Sequence, residues 1–216
     1  MSIRPILFSG PMVRALLEGR KTQTRRVLKP QPKMLNGGKP LNNGRGAYST
    51  ENGWKRYPYA KDDLLYVRET FTLTQHQTPV YRADATDQTG QRWHTIQPGD
   101  PEKEVMWKPG IHMPRWASRL TLKVTDVMVQ RLQDITWEDA EAEGVWFSSQ
   151  EYREQVCIWR DAPSKLQSLR VEYFGKLWDS LNEKRGFGWG VNPWVVAVTF
   201  EVHRCNVDSF DKEKAA

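Results

Sequence analysis

Segments with strand-like patterns are spread over the whole 216-residue chain, and single helices and loops separate them. The clearest predicted strands are residues 3–8, 64–68, 120–132 and 194–202. The regular βαβ alternation that builds a doubly wound parallel sheet is missing. The sequence therefore predicts an α+β fold, a mixed β-barrel with helices at its ends.

Helix boundary signals predict three helices between these strands. Ser9 precedes a first helix that Gly19 ends, and Thr136 with Asp139 forms a capping-box pattern for a second helix, which Gly144 ends. Ser164 is predicted to cap a third, longer helix. Its predicted apolar face consists of Leu166, Leu169, Tyr173, Leu177 and Leu181.

We expect one domain, residues 1–216, since a chain of this length suits a single well-buried core. Three insertions are predicted, near residues 33–60, 84–106 and 145–163. The first is rich in Gly, Asn and Pro and is predicted to be a long, mobile surface segment. The second is polar and rich in turn-forming residues.

The charge of +6 suits an anionic partner, such as nucleic acid or a nucleotide, but also suits plain solubility. The two cysteines lie far apart, and the four histidines show no ligand spacing, so we predict no disulfide framework and no metal site. The sequence carries no cofactor signal. No apolar run approaches the length of a membrane span, and we expect a cytoplasmic protein.

A segment just past the first helix, residues 19–26, combines an amine, a hydroxyl and guanidinium groups. Lys21 and Thr24 are the residue types needed to make an oxygen nucleophile, a base and an alcohol. Glu143, far downstream, is a candidate carboxylate partner. The same segment also fits a basic phosphate-binding loop, or cations that are favoured at the negative end of a helix dipole.

The pattern Gly19-x-Lys21-x-x-Thr24-x-Arg26 resembles the G-x-K-x-x-[ET]-x-R signature of ASCH domains, which are small β-barrels similar to the PUA fold. Four further runs resemble the larger, phage-encoded or prophage-encoded branch of that family. They are residues 66–70, 111–119, 132–136 and 192–195. The resemblance covers nearly all of the chain except the insertions, and it implies a PUA-like barrel.

One branch of the family, the small bacterial N4-acetylcytidine amidohydrolases, carries a similar local motif. The resemblance implies catalytic roles for Lys21, Thr24 and Glu143, in which Lys21 takes the proton of the Thr24 hydroxyl. Glu143 then positions Lys21 or relays a proton to the leaving amine. The expected activity is hydrolysis of an amide bond in N4-acetylcytidine or a related N4-acylated cytosine nucleoside. Expected substrate contacts are Arg26, Glu69, His112, Arg115 and Trp116.

Two other functions stay open on the sequence. PUA-like barrels bind RNA, and Trp116 between Arg115 and Arg119 fits a module that binds single-stranded or modified RNA by stacking and phosphate contacts. The second of these functions is a ribonuclease that uses Lys21 and the arginines, with His112 or Glu143 as the base. The expected partner is thus a modified pyrimidine nucleoside or single-stranded RNA, and the sequence leaves the oligomeric state open.

Overall fold

The computed structural model describes residues 1–32, 47–84, 106–144, 158 and 162–210. In this part of the chain, α-helices and short 3-10 turns alternate irregularly with strands. The helices are α1 (Gly10–Leu17), α2 (Trp137–Ala142) and α3 (Pro163–Asn182). The strands are β1 (Ile3–Leu7), β2 (Gln23–Val27), β3 (Ala47–Thr50), β4 (Gly53–Arg56), β5 (Leu64–Arg68), β6 (Phe71–Leu73), β7 (Pro79–Tyr81), β8 (Thr121–Arg131) and β9 (Trp194–His203).

The main sheet is mixed and has the strand order β1-β5-β8-β9-β2. β1 is parallel to β5, while β5 is antiparallel to β8 and β2 is antiparallel to β9. Two hairpins, β3–β4 and β6–β7, form separate two-stranded sheets. The predicted α+β class and mixed sheet are therefore confirmed.

The predicted closure of this sheet into a barrel is not seen in the described residues. Closure requires the two edge strands to hydrogen-bond to each other, which abolishes the edges. Here β1 and β2 are the edge strands, and the described residues show no pairing between them. The sheet is open in this part of the chain.

The contacts of the chain separate into two compact units. The first unit comprises Met1–Gly19, Asp62–Lys123 and Glu201–Ala216. Its core contains two apolar clusters, one around Leu64 and Phe210 and the other around Phe71 and Met113. The second cluster holds β6 against the irregular segment that precedes β8.

The second unit comprises Arg20–Lys61 and Val124–Phe200. Its core packs α2 and α3 on strand residues. The buried side chains of this cluster are Leu132, Ile135, Ala140, Phe174, Trp178 and Val195. The expectation of a single domain for residues 1–216 stays a prediction.

The predicted start of α3 was wrong by two residues, and its predicted buried face was partly wrong. Ala162 is the N-cap of α3 and Pro163 begins the helix, so Ser164 lies in the first turn. The buried residues of the helix are Leu169, Phe174, Gly175 and Trp178. Leu181 is exposed. The aromatic side chains, rather than the leucines alone, form the buried face.

Part of the segment predicted as a mobile insertion, residues 33–60, is a regular hairpin. β3 and β4 pair in antiparallel register, and Tyr48 on β3 is buried. Residues 33–46, and nearly all of the insertions predicted near 84–106 and 145–163, lie outside the described residues. Within the described residues, none of the helices is both long and apolar enough to span a bilayer.

Candidate active site

Lys21 lies in the connection between α1 and β2 and contacts the C-cap residue of α2, Glu143. Gly19 ends α1 with a positive φ of 71°, a conformation that glycine adopts without strain. The backbone N–H of Thr22 then donates to the Ala142 carbonyl at 2.8 Å. The connection is thereby fixed at the C-terminus of α2, which Gly144 ends with the same φ.

The Lys21 amine is fully buried and donates to three oxygen atoms. The acceptors are Glu143 Oε2 at 2.8 Å, the Glu143 carbonyl at 2.7 Å and the Gln23 carbonyl at 2.9 Å. Two of these acceptors belong to the C-cap residue of α2, where a cation complements the helix dipole. Lys21 therefore both caps α2 and forms an ion pair with its last carboxylate.

Arg25 on β2 is the second buried cation beside Glu143. Its Nη1 donates to Glu143 Oε1 at 3.2 Å and to the side-chain oxygen of Gln23. Its Nη2 donates to Asp139 Oδ2 at 2.7 Å. Its Nε is buried and has no hydrogen-bond partner among the described residues. Lys21, Gln23, Arg25, Asp139 and Glu143 are named the Lys21 cluster below.

The Lys21 cluster holds two cations and two carboxylates. Asp139 also accepts a hydrogen bond from the Thr136 backbone N–H at 3.4 Å. This contact belongs to a capping box, and the predicted start of α2 is thereby confirmed. Each Glu143 carboxylate oxygen bonds a different cation. Formal charges thus balance within the cluster, which limits the free energy required to bury them.

Burial lowers the pKa of the Lys21 amine from its ordinary value of 10.5. Desolvation is the dominant cause because a buried amine loses the water that stabilises its charged form. Glu143 acts in the opposite direction through its charge and hydrogen bond, and Arg26 and Arg25 lower the pKa further. The direction agrees with the requirement that a lysine base be neutral part of the time.

Thr24, the predicted nucleophile, is buried in β2 opposite Val198 of β9. Side chains alternate between the two faces of a strand, so Thr24 points to the face opposite Gln23 and Arg25. The structure thus brings Lys21 and Glu143 together, while Thr24 lies on the other face of the strand from Arg25. Arg26, the expected oxyanion contact, is half-buried on β2.

The other expected substrate contacts lie in the first unit, on or beside the platform loop, defined as residues 106–119. The loop is fixed to β6, where Lys108 and Phe71 exchange two backbone hydrogen bonds. The Asn206 amide group donates to the carbonyls of Arg115, Trp116 and Ser118. Gly110 packs so closely on the backbone of Glu69 that a Cβ would lie only 3.0 Å from it.

Glu69 is buried and binds the platform loop rather than presenting its carboxylate to solvent. Arg119 donates from Nε to Oε1 at 2.9 Å and from Nη2 to Oε2 at 3.1 Å. The same guanidinium bonds both oxygens of Asp84 and lies 3.9 Å from the centre of the Tyr81 ring. Burial raises the pKa of Glu69, and the Arg119 contacts oppose that shift.

His112, Arg115 and Trp116 are exposed on the platform loop. Trp116 keeps 54% of its surface accessible, and Arg115 forms an ion pair with Asp208. These side chains are available to a partner, whereas Glu69 is not. Membership of charged clusters was not predicted for Arg25, Asp139 and Arg119. Arg25 lies within the signature, but its carboxylate partners lie more than 100 positions away in the sequence.

No protein family model matches the chain, and no curated protein matches it. A solved structure that resembles it is the ASCH domain from Lactobacillus crispatus JV V101, with 10% sequence identity and a TM-score of 0.37. The match covers 93% of this chain and 79% of that chain. Because a TM-score this low does not establish a shared fold, the resemblance to ASCH domains continues to rest on the sequence motifs.

Replacing Glu143 by alanine is expected to destabilise the protein by about 3–5 kcal/mol, because two buried cations lose their shared carboxylate. The measurement is the free energy of unfolding from urea titration. Glu141→Ala is the matched control on the same helix, since Glu141 is 39% exposed and its contact with Arg170 is 3.7 Å long. The control is expected to change stability by less than about 1 kcal/mol. Equal losses of unfolding free energy in Glu143→Ala and Glu141→Ala would contradict a buried cluster that depends on Glu143.

Proposed function

We propose that the protein is an amidohydrolase that removes the acyl group from N4-acetylcytidine or a related N4-acylated cytosine nucleoside. The observation that carries the proposal is the buried Lys21 amine, which has a lowered pKa and lies 2.8 Å from Glu143 Oε2. Desolvation of a buried lysine favours the neutral amine that a general base needs, and a hydrogen-bonded carboxylate positions that amine. The motif resemblance supplies the substrate class.

Lys21 acts as the base in the proposed reaction. The neutral amine has two N–H groups and one lone pair, so one of its three hydrogen bonds is released before it accepts a proton. Glu143 keeps the amine in place through its side chain and its carbonyl. Because Glu143 also raises the pKa of Lys21, its proposed role is to position the amine and to relay a proton.

Thr24 is the proposed nucleophile. Its Oγ forms a bond to the acyl carbon as its proton moves to Lys21, and Arg26 stabilises the negative carbonyl oxygen. The bond from the acyl carbon to N4 then breaks, and N4 takes the proton back from Lys21 through Glu143. Water hydrolyses the resulting threonine ester, so the products are the carboxylic acid and the free nucleoside. This step requires the Thr24 hydroxyl to reach the Lys21 amine from the face of β2 opposite Gln23 and Arg25.

Wild-type protein is expected to convert N4-acetylcytidine to cytidine and acetate, with the loss of the amide followed by ultraviolet absorbance. Lys21→Met and Thr24→Ala are each expected to lower kcat by about 10²–10⁴-fold, the usual contribution of a positioned base or its nucleophile. Thr24→Ser keeps the hydroxyl and is expected to stay active. Thr22→Ala is the matched control because Thr22 is exposed within the same motif.

The pH dependence adds a second readout to this experiment. Only neutral Lys21 accepts a proton, so kcat is expected to rise with pH, with a midpoint below 10.5. Full activity of Thr24→Ala alongside an inactive Lys21→Met would contradict the threonine nucleophile. Absence of cleavage by folded wild-type protein across the pH range would contradict the enzyme.

A second candidate function is binding of single-stranded or modified RNA by the platform loop. The observation that favours it is the exposed Trp116 ring beside the exposed Arg115, on a loop whose backbone is fixed by Asn206. A rigid aromatic ring beside a cation is the usual arrangement for stacking a base and contacting phosphate.

For this candidate, Trp116→Ala is expected to weaken binding of an oligonucleotide that contains N4-acetylcytidine by about 5–100-fold, the loss of one stacking contact. Fluorescence anisotropy measures the affinity, and Trp116→Phe is the control that keeps a stacking surface. Affinity that is unchanged in Trp116→Ala, for both acetylated and unmodified strands, would reject binding at the platform loop.

A further inference from the structure

The β3–β4 hairpin buries one strand and displays the other. β3 carries the buried residues Ala47, Tyr48 and Thr50, whereas all four residues of β4 are exposed. Trp54 on β4 keeps 57% of its surface accessible. Lys55 and Arg56 follow it directly, so an indole, an ammonium and a guanidinium lie together on one exposed strand.

The hairpin is held rigidly from its buried side. The Tyr48 ring stacks on Tyr57 with 5.3 Å between ring centres and an interplanar angle of 20°. The Tyr48 hydroxyl donates to the Pro30 carbonyl at 3.3 Å. At the turn, Thr50 Oγ1 donates to the Gly53 carbonyl at 2.7 Å. A ligand on β4 would therefore bind a strand that is already ordered, which lowers the entropy lost on binding.

The two cations of β4 are not neutralised within the described residues. No ion pair of Lys55 or Arg56 is found in that part of the chain, whereas Arg115 and Arg119 are both paired with carboxylates. The nearby carboxylate is that of Glu51, which is exposed in the turn of the hairpin. The displayed strand thus carries a net positive charge, on a chain whose formal net charge is +6.

We propose that the face of β4 that carries Trp54 and Arg56 binds a single-stranded nucleic acid, with a base stacked on Trp54 and a phosphate contacted by Arg56. Trp54 and Arg56 point to the same face of the strand, about 7 Å apart, because side chains alternate along β4. Lys55 is paired with Tyr48 in the hairpin register and points to the other face. Stacking on an aromatic ring with cations beside it recognises a single strand without reading its sequence. The proposal does not depend on amide hydrolysis.

The composition of β4 favours a polyanion over a protein partner. A stable protein interface has an apolar centre formed by several neighbouring residues. On β4 the only large apolar side chain is Trp54, and the next two residues are cations. An indole with a guanidinium on the same face matches the bases and phosphates of a nucleic acid strand instead.

The test is fluorescence anisotropy of the full chain with a labelled, unstructured 12-nucleotide RNA and with DNA of the same sequence, at two salt concentrations. Trp54→Ala is expected to raise Kd by about 5–100-fold, and Trp54→Phe is expected to stay within about 3-fold of wild type. Arg56→Gln is expected to reduce the slope of log K against log salt by about 0.7, corresponding to one phosphate contact.

The matched control is Lys55→Gln, which removes the same charge from the opposite face of the same exposed strand. If Lys55→Gln loses as much affinity and slope as Arg56→Gln, binding reflects net charge alone and the proposal is overturned. Unchanged affinity in Trp54→Ala, or a loss confined to Trp116→Ala, overturns it as well. Tighter binding of RNA than of DNA identifies RNA as the ligand, and equal binding identifies any single strand; both support the proposal.

Discussion

The second unit depends on one carboxylate that two buried cations share. Glu143 binds Lys21 through Oε2 and Arg25 through Oε1, and its carbonyl accepts from Lys21 as well. Without Glu143, the low dielectric of the interior would leave Lys21 with an uncompensated buried charge and Arg25 with Asp139 as its carboxylate partner. The contact also ties the segment after α1 to the end of α2, so the charges of the cluster and the packing of the unit depend on the same residue.

Structural and chemical roles of Lys21 therefore compete. As a charged group it caps α2 and satisfies three acceptors, which is a complete structural role. Burial, however, lowers its pKa, and burial and neighbouring charge are also what give an enzyme a neutral lysine base. The proposed chemistry needs the amine to leave one of its acceptors, and it needs Thr24 to be within reach of the released lone pair.

Local signals predicted the parts of the structure that depend on neighbouring residues. The capping box at Thr136 and the strand Leu64–Arg68 are confirmed, since side-chain capping and alternation act over a few positions. Long-range contacts were not predictable in the same way. The Asp139 partner of Arg25 comes from packing α2 beside β2, and the β3–β4 hairpin forms in a segment whose composition is typical of loops. The roles of Thr24 and Glu143 stay predictions.

The most direct test of the central claim is an NMR titration of the Lys21 side chain, with the ¹³Cε resonance assigned by comparison with Lys21→Arg. Because desolvation outweighs the Glu143 ion pair, the midpoint is predicted to lie below 10.5. In a folded Glu143→Gln variant, which lacks the opposing charge, the midpoint is predicted to fall further. A Lys21 midpoint at or above 10.5 in the wild-type protein would contradict the account of a buried amine prepared to act as a base.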